Sequence, residues 1–151
     1  MNNGPAKAYQ VNQVSTVNGS KLILMMYDGA IRFINEAILK VGAQDVAGRG
    51  LYISKAQKII NELENSLDKK RGGQVAVNLE KAYQEMSRRL TKANISGEVS
   101  DLRVTLKMVN NLKGAWEKVI NGSGSTNLSN SGSLRNEMNL SKTAANVAIN
   151  A

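Results

Sequence analysis

From Ser20 onward the apolar residues of this chain recur at steps of three and four, and before that point they are scattered. Leu22, Met26, Gly29, Phe33, Ala37 and Lys40 follow one helical row, and Leu24, Tyr27, Ile31, Ile34 and Ile38 make a second row beside it. Period and length both exceed what a strand shows, so the spacing predicts a helix and the Asp28-Gly29 pair inside "LILMMYDGAI" is not a hairpin turn. Ser20 is the expected N-cap, its hydroxyl placed to accept from the open N–H groups of the first turn.

Gly42, Gly48 and Gly50 then punctuate the chain as an end and a restart for helices. Leu51, Tyr52, Ala56, Ile59, Ile60, Leu63 and Leu67 predict a second amphipathic helix reaching about Leu67. "DKKRGG", Asp68 to Gly73, reads as a solvated connector, with Gly72-Gly73 as a helix stop. In the third helix Val75, Leu79, Ala82, Tyr83, Met86 and Leu90 face inward, and "ANISGE" closes it. A fourth carries Val99, Leu102, Leu106, Val109, Leu112, Trp116 and Val119 at near-heptad spacing. Short loops between long helices favour antiparallel neighbours, so the expected fold is all-α, an antiparallel up-down four-helix bundle over residues 20–121.

The flanks read differently. Residues 1–19 are polar and irregular, the pattern of a mobile N-terminal arm or cap. Residues 122–133, "GSGSTNLSNSGS", have the composition of a flexible Gly/Ser/Asn linker. Residues 134–151 place Leu134, Met138, Leu140, Ala144 and Val147 at modest recurrence, a short tail able to become helical on contact with a surface. Linker and tail fit either a natural extension or a fused segment.

Composition narrows the chemistry. With no His and no Cys among 151 residues, Ser-His-Asp and Cys-His catalysis, Cys/His zinc sites and disulfides all lose their essential groups. Glu62 and Glu64 point to different faces of a helix, and the Glu-x-x-His pairs of helical di-metal sites cannot be made, so no catalytic residue, metal ligand or cofactor is expected. No apolar run approaches the roughly 20 residues of a membrane span, and the first ten residues lack a signal core, which predicts a soluble cytoplasmic protein without direct membrane insertion.

The formal charge of +8 fits an acidic or anionic partner as well as mere solubility. Arg88, Arg89 and Lys92 form a small basic cluster at the end of the third helix, where opposing the helix dipole is the plain explanation and phosphate contact the functional one. No aromatic residue interleaves with them, so nucleic-acid binding is not expected and a basic regulatory or nucleic-acid-binding module stands as the alternative function.

The first helix remains the unusual feature, since it is apolar on more than one stripe. Either it is the most buried helix of the bundle, or the arm or a partner covers its extra face.

Five segments, read in order, resemble one family: "AYQVNQV" (8–14), "KLILMMYDGAIRF" (21–33), "KAQKIINELENSLD" (55–68), "GGQVAVNLEKAYQEMSRRLTKAN" (72–94) and "AWEKV" (115–119). Together they are similar to FliS, the flagellar export chaperones of bacteria. The resemblance implies a bundle that binds the disordered C-terminal segment of flagellin in the cytoplasm, prevents premature polymerisation and aids delivery to the type III export gate, with FlhA as the contact there. It implies no ATP, metal or covalent chemistry. Within the matching motifs, Tyr9 and Val14 are the expected arm or cap residues, and Tyr27, Ile31, Ile60, Leu63 and Tyr83 the expected client-binding or groove-supporting ones. An apolar groove of this kind also offers a route to self-association, which the arm would block as a lid. The linker, the tail and the strong positive charge match none of the family motifs.

Overall fold

The computed structural model describes residues 19–122, which form four α-helices. These are α1 (Gly19–Gly42), α2 (Val46–Asn65), α3 (Lys69–Ser96) and α4 (Ser100–Ile120). Tyr9, Val14, most of the expected arm and all but the first residue of the expected linker and tail lie outside the described residues.

Each helix buries residues spaced by alternating threes and fours. In α1 these are Ile23, Tyr27, Ala30, Ile34 and Ala37; in α2, Ile53, Ala56, Ile60 and Leu63. Tyr83, Met86, Leu90 and Ala93 continue the pattern in α3, and Leu102, Thr105 and Val109 in α4, with Trp116 a full heptad after Val109. A 3.5-residue period keeps each apolar seam facing the centre only when helices cross at about 20°, which is why these sequences assemble as a bundle and not as a crossed stack. Removing each of the Ile, Leu, Val and Met side chains among them from water contributes about 1.5–3 kcal/mol before entropy is counted.

Connectors of three residues, 43–45, 66–68 and 97–99, force each helix to run back along its predecessor. Each helix packs on its neighbours in the chain, and α4 closes on α1. The Trp116 indole N–H donates to the Ser20 carbonyl across that closing pair at 2.9 Å. The fold is the expected all-α four-helix bundle.

Several local expectations change. Gly19 is already helical, so Ser20 lies within α1 and is not its cap. α2 begins five residues before Leu51 because Asp45 caps it, accepting the Gly48 N–H at 2.9 Å; Gly48 and Gly50 are inside the helix and not in the connector. Asp68 caps the next helix in the same way through Lys70 and Arg71, so the basic run is a helical turn. The break there is Gly73 alone, at φ 55° and ψ −136°, a conformation closed to residues with a Cβ. On α1 the central row is neither of the two expected ones but Ile23, Tyr27, Ala30, Ile34 and Ala37, between them.

Candidate functional site

Of the expected site residues, Tyr27, Ile60, Leu63 and Tyr83 lie in the core, each no more than 2% exposed. The two tyrosines come from diagonal helices and join hydroxyl to hydroxyl at 2.6 Å. Tyr27 also meets Trp116 edge to face, with ring centroids 6.4 Å apart. Burial pushes the Tyr27 phenol up to about 12 and the Tyr83 phenol well above its ordinary value, so both stay neutral and can share the proton bridge. In this conformation none of the four is open to solvent. Ile31 is half-buried on the flank of α1, one turn after Asp28, whose carboxylate receives Lys113 of α4 at 2.7 Å.

The four inter-helix seams are closed in different ways. Between α2 and α3 the ties are polar from one end to the other: Arg49 donates to the Asn94 carbonyl, Gln57 to Thr91 and Gln84 to Glu64. Between α4 and α1 the ties are Trp116 to Ser20 and Lys113 to Asp28.

The α1–α2 seam is apolar instead. Gly29 lets the helices approach, since a Cβ there would lie 3.0 Å from the Ile59 Cδ1 methyl. One turn away on either side, Met25 and Met26 precede Gly29 and Phe33 follows it. The Phe33 ring packs on Tyr52, with centroids 6.2 Å apart, and the Lys55 ammonium sits over both rings at 5.5 and 5.4 Å. Met26, Phe33, Tyr52 and Ile59 are half-buried and Met25 is exposed.

Between α3 and α4, the least extensively packed pair, the polar ties sit at one corner. Asp101 is 7% exposed and accepts from Arg89 at 2.9 Å; Lys92 is 3.8 Å from it. Farther along, positions two turns or more after Asp101 on the same flank of α4 are Met108, Leu112, Ala115 and Val119, all half-buried. They run beside Val75 and Ala82 of α3, also half-buried, while the Arg89 and Lys92 ties to Asp101 lie back at the corner. Two apolar seams thus lie on opposite sides of the bundle, one lined by Met25, Met26 and Phe33, the other by Met108 and Leu112.

The basic cluster is not an open phosphate site. Arg88 forks onto Glu85 through two bonds of 2.9 and 2.6 Å, Arg89 pairs with Glu85 and Asp101, and Lys92 approaches Asp101. The Arg88 guanidinium holds the Glu85 carboxyl down to about 2. No group of three His, Cys, Asp or Glu placed to hold a metal occurs among the described residues.

Residues 1–123 match the family described as "Flagellar protein FliS". The chain belongs to the FliS family. Among its relatives, a protein named flagellar secretion chaperone FliS from Salmonella typhimurium is 36% identical over 118 residues, covering 75% of this chain and 87% of the relative. A FliS of the same name from Bacillus subtilis is 33% identical over 116 residues, covering 77% and 86%. One from Campylobacter jejuni is 31% identical over 120 residues, covering 80% and 94%. FliS is a chaperone family and not an enzyme family, in keeping with a chain that lacks His and Cys.

Reading the FliS sequence alone left the two apolar seams unfound. Met26, Phe33, Ile59 and Leu112 share the helical period with the core rows and are read with them, and Met108 falls in no row at all. Met26, Phe33, Ile59 and Met108 each stand one position before a buried residue of the central row, and Leu112 is on that row but half-buried, distinctions visible only once the buried row is known.

Proposed function

We propose that this protein is a flagellar export chaperone that binds the disordered C-terminal segment of flagellin in the cytoplasm, holds it from premature polymerisation and aids its delivery to the export gate, with FlhA as the contact there. The observation that carries the reading is the pair of half-open apolar seams, lined by Met and Leu, on a bundle whose other two seams carry polar ties. A disordered segment that folds on binding needs extended apolar grooves more than a rigid pocket, and unbranched methionines adapt to it. Relatives named flagellar secretion chaperones support the assignment.

Tyr27, Tyr83, Ile60 and Leu63 act from beneath, fixing the floor on which the seams rest, and Ile31 sits at the edge of the α1–α4 pair. The arm carrying Tyr9 and Val14 covers an apolar seam until client displaces it, which also restrains self-association. Calorimetric titration of the chain with a peptide of the flagellin C-terminal segment, with circular dichroism of the mixture, tests the assignment. Binding with gain of helix is expected; absence of binding, or binding without helix gain, overturns it.

A further inference from the structure

Six large apolar side chains are exposed among the described residues, and five of them gather at one end of the bundle. Leu39 is in the last turn of α1, Val46 and Leu51 in the first two turns of α2, Ile95 at the end of α3 and Val104 in the second turn of α4. At 1.5 Å per residue all five lie within about 8 Å of a helix end. The two turns that make this pole lie side by side, because Arg49 of α2 donates to the Asn94 carbonyl of α3, and a Cβ on Gly97 would fall 2.8 Å from the Arg49 guanidinium. Met25, the sixth, lies toward the other end.

Lys40, Arg49, Lys92 and Arg103 lie in the same helix ends, Lys40 paired with Asp45, Arg49 with the Asn94 carbonyl and Lys92 3.8 Å from Asp101. The carboxylates nearby are engaged: Asp45 caps α2 and pairs with Lys40, and Asp101 is buried against Arg89. Asp45 and Glu98 are exposed, and the four cations outnumber the three carboxylates of this end.

We infer that this pole docks reversibly on the surface of an anionic lipid bilayer. An end whose exposed aliphatic side chains all lie within two helical turns of it, with cations in the same turns, matches a flat interface that admits apolar groups to about 5–10 Å and attracts Lys and Arg. A protein partner is the weaker fit, since interface cores favour aromatic anchors and a concave or flat fit, and no aromatic residue is exposed at this pole. The chain's own segments outside residues 19–122 leave from the opposite end, at the start of α1 and the end of α4, roughly 30–36 Å away along helices of 24 and 21 residues. Docking here is peripheral: no helix among the described residues is long and apolar enough to cross a membrane. The inference does not depend on which client the seams hold.

The test is sedimentation of the full chain with vesicles of phosphatidylcholine containing phosphatidylglycerol, against vesicles of phosphatidylcholine alone. Preferential binding to the anionic vesicles is expected, suppressed by high salt, and reduced about fivefold by Leu39→Ser with Ile95→Ser while Met25→Ser leaves it unchanged. Equal binding to both vesicles, or equal loss from Met25→Ser, overturns the proposal. So does self-association of the chain without vesicles that the Leu39→Ser and Ile95→Ser pair abolishes, because the pole would then be covered by a second copy. Titration of each variant with the flagellin peptide keeps the client assignment separate, since the pole variants are expected to bind it as the parent does.

Discussion

Helix α2 has two flanks that do opposite things. Toward α3 it offers Arg49, Gln57 and Glu64, each engaged by a hydrogen bond to a partner on α3. Toward α1 it offers Tyr52 and Ile59, packed against Phe33 and over Gly29. Directional bonds fix the register of the first pair, because a slip of one residue unmakes them all. Apolar contact is not directional, so the half-buried side chains along the second pair can take up another apolar helix without unmaking a hydrogen bond. The same contrast holds between α4's ties to α1 and its open flank toward α3. A chaperone for a disordered segment needs both: two seams that keep the bundle intact and two that can exchange contacts.

The largest way to break this comparison is to damage what all four seams share. Ile60→Ala removes a fully buried side chain and is expected to lower the unfolding free energy by about 2–5 kcal/mol in urea titration. A smaller loss would mean that the floor under the seams is loose. Next, Phe33→Ser and Met108→Ser should each weaken binding of the flagellin peptide about tenfold by calorimetry while circular dichroism shows the helices retained. Affinity unchanged by both would remove the seams from recognition.

The Tyr27–Tyr83 bridge should contribute about 0.5–1.5 kcal/mol, read as a coupling energy between Tyr27→Phe and Tyr83→Phe. The bridge has a pH signature as well. Since both folded phenols are raised above the unfolded value of 10, the unfolded state loses protons first as pH climbs, and stability falls from pH 10 upward, through the Tyr27 folded value of about 12. Unfolding followed across that range should show the decline, and Tyr27→Phe should blunt it.

Gln57→Ala comes below these, at under about 1 kcal/mol of stability with no change in client affinity, because its bonds are partly exposed and lie on the polar flank. The smallest effect belongs to Glu85. Its folded pKa lies near 2 against an ordinary 4.5, so its contribution is present above pH 4.5 and fades as pH falls through 2. The carboxylate is exposed to solvent, and salt should erase most of the dependence.

The bundle was legible from spacing alone, since four runs of threes and fours separated by breakers have few other solutions. The central row of α1 was not. Leu22, Ile23 and Leu24 are consecutive and apolar, and only the positions of α2 and α4 decide which direction is inward. The start of α2 was hidden by Gly48 and Gly50, which read as breakers although each costs an exposed helix only about 1 kcal/mol relative to Ala, and the Asp45 cap offsets part of that. Asp101 was hidden for a related reason: an acid in the first turn of a helix suits the dipole, so nothing in the sequence showed that it is buried and holds Arg89. Tyr27 and Tyr83 were singled out from family motifs, which mark residues that matter without saying whether they touch a client or hold the floor.

The most direct measurement is the NMR response of the methionine methyls as the flagellin peptide is added. Met26 beside Phe33 and Met108 beside Leu112 should shift or broaden, whereas Met86, 1% exposed in the core, should hold its position. Shifts at neither seam methionine on saturable binding, or a shift at Met86 alone, would contradict the account that the client lies in the two apolar seams of an otherwise intact bundle.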